Sequence, residues 1–248
     1  MRKQKERNSI VIIVAYVVLG IISFMCIAPV VLMAVASFTD NDVLNLYGYT
    51  YFPQKWSLEA YEFLIKQGTV ISKSFLNSIL VTFMGTALGI MVTVLLAYTI
   101  SRKELVGRKL IMLFVFFTML FNGGMVPTYL MYTQIFHIKN TMWALLFPHL
   151  LVNGFNVLLV RTFFNENIPE VLLEAARIDG AGEISIFRNV VLPISKPILA
   201  TIGLLVGVGY WNDWYNGLLF VTDVNYYTLQ NNDRPTVPFT KYVSYIRC

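Results

Sequence analysis

The stretch EAARIDGAGEISIFRNVVLP, Glu174 to Pro193, is a polar island in a chain that is otherwise mostly apolar. Pro169 suits the first turn of a helix, because its missing N–H has no partner to lose there. Gly180 follows Asp179 at the point where a left-handed residue would end that helix. A second short helix is predicted over Ile184 to Val191, where Pro193 then ends or kinks it. The pattern predicts a helix, a turn and a helix outside the bilayer, between two spanning segments.

The first of these helices is predicted to be amphipathic. Apolar residues recur at spacings of three and four along it and give one apolar face. That face is formed by Val171, Leu172, Ala175 and Ile178. Because Glu174 and Arg177 lie off this face, the apolar side of the helix is free to dock on another surface.

The composition indicates a membrane protein. Hydrophobic residues make up 56% of the 248 residues and charged residues only 13%, which is too apolar for an ordinary soluble domain. The net charge of +5 comes from short Lys and Arg clusters at the ends of apolar runs, so it predicts membrane orientation and no nucleic-acid surface. Cys26 and Cys248 form neither a metal-ligand spacing nor a disulfide framework.

Five apolar segments reach the length of a membrane span, which needs roughly 20 residues. They are approximately Ile10–Phe38, Phe75–Ile100, Leu110–Tyr132, Thr141–Phe164 and Lys196–Thr222. The third is predicted to be broken or bent, because Gly123, Gly124 and Pro127 lie within it. The loop Arg102–Lys109 carries four basic residues against Glu104, so it and the N-terminus are predicted to be cytoplasmic.

Sequence signatures of catalysis are missing. The chain has no phosphate-binding loop, no nucleophile elbow and no paired-histidine zinc motif. We therefore predict no catalytic residue, no metal site, no cofactor and no site of ATP hydrolysis in this chain. One hypothesis is a secondary transporter driven by an ion gradient, but such carriers need ionisable groups near the middle of the membrane. Apart from Arg161 and Lys196 at their ends, the spans hold only His149 and Asp213. A non-transporting membrane scaffold is the third alternative.

Glu174-Ala175-Ala176, Gly180 and Leu192-Pro193 stand at the spacing of the EAA loop, and the chain resembles the permease subunits of ABC importers. The amino-acid sequence of the loop resembles that of the carbohydrate-importing branch, which contains the maltose permease pair. Phe121–Tyr129 and Trp211–Asn216 resemble permeases for complex oligosaccharides. The resemblance implies an all-α, multi-pass subunit in the bacterial plasma membrane that takes up sugars or oligosaccharides. The implied partners are a second homologous permease, a cytoplasmic ATPase dimer and an extracellular solute-binding protein.

The resemblance also assigns a coupling function to the loop at residues 165–196, which would insert into a surface cleft of the ATPase. The residues implied in this coupling are Glu174, Ala175, Ala176, Asp179, Gly180, Leu192 and Pro193. Glu174 would orient the short helix and meet polar groups of the ATPase, the two alanines would permit close approach, and Gly180 would make the turn. Simple helix propensity is the alternative explanation for the alanines.

A substrate pathway is predicted from polar and aromatic residues in the last two spans. Its residues are His149, Asn153, Asn156, Trp211, Asn212, Asp213, Trp214 and Asn216. The aromatic side chains would stack on sugar rings and the polar ones would hydrogen-bond hydroxyl groups. Alternatively, these residues satisfy one another, anchor helices at the membrane interface or pack against the partner permease.

The end of the chain departs from the family that it resembles. Such permeases usually have six spanning helices, yet residues 223–248 contain no apolar run of spanning length. We therefore expect a transmembrane permease domain over residues 1–222 and a polar tail over residues 223–248 that is not native to the family. Truncation or a frameshift near Leu229 is the expected cause.

Overall fold

The computed structural model describes residues 2–148 and 150–232, with side chains described from residue 12 onward. Every named secondary-structure element in this part of the chain is helical. The chain divides into two compact units, with the boundary after Val70. The prediction of an all-α protein is confirmed.

The first unit contains one long helix and two short ones. The long helix α1 spans Arg2–Ser37, and its apolar part, Ile12–Ser37, has no buried residue. The short helices are α2, Asn41–Tyr47, and α3, Glu59–Lys66. Asp40 begins α2, because its carboxylate accepts a hydrogen bond from the N–H of Asp42 and pairs with Lys55 at 2.5 Å.

The second unit is built around α4, Gly68–Ser101, most of which belongs to it. The remaining helices are α5, Arg108–Leu120; α6, Met125–Leu130; α7, Trp143–Leu146; α8, Gly154–Asn167; α9, Glu170–Ile178; α10, Glu183–Ile186; α11, Leu192–Ile194; α12, Lys196–Trp211; and α13, Tyr215–Phe220. Single π-helical turns at Met131–Ile135 and Phe187–Val191 extend α6 and join α10 to α11. Two short 3₁₀ turns, Val224–Tyr226 and Leu229–Asn231, follow α13.

Among the described residues, two helices are long and apolar enough to cross a membrane singly: α1 and α4. The number rises to four if each of two bent pairs forms one span. The first pair is α5 with α6 and its π turn, bent by 115°, and the second is α10–α11 with α12, bent by 81°. The predicted break in the third segment is confirmed, whereas the predicted count of five spans is not.

The segment predicted as the fourth span is not one continuous helix, so that prediction is wrong. α7 ends at Leu146, and α8 begins only at Gly154. Pro148 lies in the gap and has no N–H to continue a helix. Asn153 then starts a new helix, because its side-chain oxygen accepts hydrogen bonds from the N–H groups of Phe155 and Asn156.

Close backbone contacts hold the second unit together. A Cβ added at Gly85 of α4 would lie 2.5 Å from the ring of Tyr210 on α12, so only glycine fits there. A Cβ added at Gly154 of α8 would lie 2.6 Å from Met119 of α5. Small residues at such crossings allow helices to approach closely in membranes.

The segment after α13 packs against the first turns of α4. The side-chain amide of Asn77 donates hydrogen bonds to the carbonyl groups of Asn225, at 2.9 Å, and Tyr227, at 3.0 Å. The N–H of Leu229 donates to the hydroxyl of Ser78 at 2.8 Å. The predicted tail boundary at residue 223 stays a prediction, and residues 233–248 lie outside the described part of the chain.

Candidate functional site

Helix α9, which begins the polar stretch, ends in a local backbone motif. Asp179 ends α9, and Gly180 follows with a φ of +80°, the left-handed conformation that the sequence predicts. The N–H of Gly180 donates to the carbonyl of Arg177, and the N–H of Ala181 donates to that of Ala176, both at 3.0 Å. This pair of bonds is a Schellman motif, which satisfies carbonyl groups that the helix end would otherwise leave unpaired.

The apolar face predicted for α9 is turned away from the core. Leu173 is the buried residue of this helix, whereas Val171 and Leu172 are exposed and Ile178 is 86% exposed. Ile184 at the start of the next helix is 84% exposed. The loop therefore presents large apolar side chains outside the protein's own core. We call Val171, Leu172, Ile178 and Ile184 together the apolar edge.

The second predicted helix is present in outline, with a different ending. It begins at Glu183 and continues through the π turn to Ile194, so Pro193 does not end it. The helix axis instead turns by 81° around Ser195, whose buried hydroxyl donates to the carbonyl of Val191 at 2.7 Å. The same carbonyl also accepts the backbone N–H of Ser195 at 3.0 Å, so the hydroxyl adds a second bond to it at the bend.

Ion pairs tie the loop to the end of α4. Arg177 contacts Glu104 at 2.8 Å and Glu183 at 2.9 Å. The hydroxyl of Tyr98 on α4 donates to the other oxygen of Glu183 at 2.6 Å. The hydrogen bond from Arg177 lowers the pKa of Glu104, and the same bond raises the pKa of Arg177. This cluster of Tyr98, Glu104, Arg177 and Glu183 is called the tether below.

Sequence reasoning missed the tether. Its partners are far apart along the chain, since Arg177 lies 73 positions after Glu104. The one available signal was Glu104 itself, a single acid within a basic loop. A second pair, Lys103 with Glu170 at 2.8 Å, joins the same loop to the first turn of α9.

The residues implied in coupling fall into two groups by exposure. Glu174, Ala175, Asp179, Gly180 and Pro193 are exposed. Ala176 and Leu192 are half-buried and pack against the hydrophobic core. The first group is accessible to a partner, whereas the second supports the loop from within.

A cleft of about 510 Å³ lies between α5, α6 and the start of α8. Its polar lining comes from Thr118, Asn122, Thr128, Tyr132 and Asn153. The side-chain oxygen of Asn122 accepts from the N–H of Gly124 at 2.9 Å, and that of Asn153 caps α8. Both carboxamide NH₂ groups make no hydrogen bond within the described residues, so they are available as donors to a ligand.

The second polar set of the predicted pathway lies elsewhere. Trp211, Asn212, Asp213, Trp214 and Asn216 are not among the residues that line this cleft. The ring of Trp211 contacts Phe75 edge-on, and that of Trp214 contacts Tyr215 in the same way. The side chain of Asn212 donates to the carbonyl of Val208, within its own helix. His149 lies outside the described residues, and Asn156 is buried.

Asn216 forms hydrogen bonds to residues at two helix breaks. Its side-chain amide donates to the carbonyl of Pro148 at 2.9 Å, and its N–H donates to the carboxylate of Asp213 at 3.1 Å. The hydroxyl of Tyr210 donates to the carbonyl of Leu146 at 2.7 Å. Non-helical backbone at membrane depth is tolerated when its polar groups are satisfied inside the protein. These bonds perform that role between the breaks after α7 and α12.

The described residues form an all-helical chain with apolar helices of membrane length and an exposed loop of two short helices joined by a turn, which are features of an integral membrane protein. Residues 85–233 match the family described as the binding-protein-dependent transport system inner membrane component. The chain belongs to this family. The matched region contains the whole candidate coupling loop and the cleft.

Similar proteins agree with this assignment. The chain is 36% identical over 217 residues to the polygalacturonan/rhamnogalacturonan transport system permease protein YtcP of Bacillus subtilis (strain 168), which covers 88% of this chain and 74% of the relative. It is 31% identical over 224 residues to the trehalose/maltose transport system permease protein MalG of Thermococcus litoralis. That alignment covers 89% of this chain and 78% of the relative.

One solved structure has the same fold. It is the crystal structure of a bacterial ABC transporter involved in the import of the acidic polysaccharide alginate. The TM-score is 0.80 at 26% identity, and the alignment covers 95% of this chain and 84% of the other. The resemblance to ABC importer permeases is thus confirmed, and the chain is a membrane permease component rather than an enzyme. The family implies a cell-membrane location and dependence on a separate binding protein.

Proposed function

We propose that this chain imports sugars or oligosaccharides together with a second homologous permease, a cytoplasmic ATPase dimer and an extracellular solute-binding protein. The names of its relatives support this substrate class, because they include permeases for polygalacturonan and rhamnogalacturonan and for trehalose and maltose. The single observation that carries the coupling role is the apolar edge, which lies beside the exposed carboxylate of Glu174.

The apolar edge is suited to enter the ATPase. Burying an isoleucine side chain contributes about 1.5–3 kcal/mol, and Ile178 and Ile184 each expose more than four fifths of their surface. Leu173 is buried on the opposite side and anchors α9 to its own subunit. The helix can therefore bind a partner's cleft without giving up its internal packing.

The substrate pathway is proposed to include the cleft beside α8. Asn122 and Asn153 offer amide donors there, and Tyr132 offers an aromatic ring. Trp214 is 56% exposed and is proposed as a second stacking surface. Asn216 and Tyr210 are assigned to holding the helix breaks in place, since their side chains bond backbone carbonyl groups.

Uptake of labelled oligosaccharides by cells that carry the complete importer tests the pathway. Asn153→Asp keeps the side-chain oxygen that caps α8 but removes both amide donors. We expect lower uptake or a changed sugar preference at normal expression. Asn45→Asp is the matched control, because Asn45 is an exposed asparagine that does not line the cleft. Equal uptake by both variants would exclude Asn153 from the pathway.

The orientation of the chain is proposed to have its N-terminus and the coupling loop in the cytoplasm. In a Cys26→Ser, Cys248→Ser background, Ser185→Cys should resist impermeant thiol reagents in intact cells and react once the cells are opened. Ser57→Cys should react in intact cells. Ser185 is exposed and Ser57 is partly exposed, so both can be reached by a reagent on their own side and a difference reports the side of the membrane. Labelling of Ser185→Cys from outside would reverse the proposed orientation.

A further inference from the structure

A basic cavity of about 640 Å³ lies where the end of α4, the start of α5 and the beginning of the coupling loop meet. Its volume falls within the range of about 300–1,000 Å³ that small-molecule sites occupy. Five basic side chains line it: Arg102, Lys103, Arg108, Arg161 and Arg177. Three acidic side chains also line it: Glu104, Glu166 and Glu170.

Internal pairs neutralise only part of this charge. Lys103 pairs with Glu170 and Arg177 with Glu104, each at 2.8 Å. Glu166 is the one further carboxylate in the lining. The cavity therefore keeps an excess of positive charge from its remaining arginine side chains.

Three guanidinium groups in the lining form no ion pair among the described residues: those of Arg102, Arg108 and Arg161. Arg161 donates to the carbonyl of Ile100, and Arg102 lies 4.4 Å from the centre of the Tyr98 ring. The Nε–H of Arg102 is buried and has no hydrogen-bond partner in the part of the chain that the structure describes. A buried unpaired donor is costly, and a bound acceptor removes that cost.

The start of α5 strengthens the attraction for an anion. Arg108 and Lys109 occupy its first turn, which has no acidic residue, and Gly107 before them supplies no side-chain cap. The first turn of a helix carries partial positive charge and unpaired N–H groups, so two cations there are unfavourable alone. An anion bound at this end would be held by both the side chains and the helix.

We propose that this cavity binds the phosphodiester headgroup of an anionic membrane phospholipid. Guanidinium groups pair with phosphate oxygens in a bidentate geometry. The cavity lies at the end of α4, a candidate membrane span, which is the depth of lipid headgroups. Phe164, Ile168 and Leu173 supply the apolar part of the lining, which suits the glycerol and upper acyl region.

The bound lipid would act on the coupling loop. Arg161 and Phe164 belong to α8, Leu173 and Arg177 to α9, and Arg108 to α5. One headgroup thereby joins three helices at the base of the loop. The site is independent of which sugar the importer carries.

Lipid titration of the full chain in detergent, followed by native mass spectrometry, tests the proposal. We expect phosphatidylglycerol to bind the wild-type chain and to bind Arg108→Gln about tenfold more weakly or worse, the effect of one charge-assisted bond. Lys109→Gln is the matched control, because Lys109 carries the same charge on the same turn but does not line the cavity. If Arg108→Gln fails to fold, Arg108→Lys keeps the charge, loses the fork geometry and should show an intermediate loss.

Three outcomes would overturn the proposal. The first is equal binding of phosphatidylcholine, and the second is an equal loss in Lys109→Gln, which would indicate general surface attraction. The third is inorganic phosphate that binds as tightly as phosphatidylglycerol, which would assign the cavity to a free anion. Lipid binding is measured without transport, so a failure of sugar uptake leaves this result unaffected. A failure of lipid binding likewise leaves the proposal of sugar import unaffected.

Discussion

Replacing Gly180 by valine tests the closing turn of the coupling loop. Gly180 has a φ of +80°, and no atom lies within 4 Å of an added Cβ. The cost of Gly180→Val is therefore backbone strain rather than a clash, about 1–2 kcal/mol. That energy shifts the equilibrium between the closed and the opened turn by about 5- to 30-fold.

Hydrogen exchange gives a direct measurement of this opening. The N–H groups of residues 180 and 181 close the Schellman motif, so their exchange in Gly180→Val should be faster by about the same factor. Sugar uptake and its coupling to ATP hydrolysis should fall, whereas insertion into the membrane should be normal. Gly180→Asn should be milder, because asparagine tolerates the left-handed conformation.

Gly182→Val is the matched control. Gly182 lies two positions further on, also has no atom within 4 Å of an added Cβ, and has an ordinary φ of −72°. Valine is accepted there without backbone strain. If the two variants exchange and transport alike, the left-handed turn has no role in coupling and the reasoning is refuted.

Two further predictions concern the tether and the helix crossing. Arg177→Gln should loosen the loop slightly, since exposed ion pairs contribute about 0–1 kcal/mol. Because the pKa of Glu104 in the folded protein is lowered below its usual value of 4.5 by the bond from Arg177, the Arg177–Glu104 pair is fully present above pH 4.5 and is lost as the pH falls through the lowered pKa. Wild-type loop protection should therefore fall in a step on acidification below pH 4.5, and Arg177→Gln should show a smaller step. Arg188→Gln, an exposed control, should retain the step; its absence there would contradict the assignment. Gly85→Ala should melt at lower temperature in detergent, with overpacking against Tyr210 costing about 1–3 kcal/mol. Gly209→Ala, whose added Cβ meets only an ordinary contact at 3.7 Å, should not.

The turn at Gly180 could be predicted from sequence because its geometry is local. The two bonds that close it span only Ala176 to Ala181, so nearby residues determine it. The class of fold was equally accessible, since apolar composition and run length identify membrane helices without tertiary information. The position of the apolar face of α9 was predicted, and its exposure follows from Leu173 being the residue that packs inward.

The break between α7 and α8 could not be predicted in the same way. An apolar run from Thr141 to Phe164 has the length of one span, and sequence periodicity contains no information on Tyr210 and Asn216 bonding the carbonyl groups in its middle. The tether was hidden for the same reason, because its charges come from separate loops. Contacts between distant segments determine the tether, and at the break they act together with the local effects of Pro148 and the Asn153 cap.

Helix α4 connects the two ends of the second unit as a stiff rod. Asn77, near one end, is bonded to Asn225 and Tyr227, and Tyr98, near the other, is bonded to Glu183. Tyr98 lies 21 positions after Asn77, which corresponds to about 32 Å at 1.5 Å per residue and is close to the roughly 30 Å of bilayer hydrocarbon. Because α4 is stiff and bonded to a different segment near each end, a displacement of Glu183 that tilted α4 about its centre would move the Asn225 segment in the opposite direction.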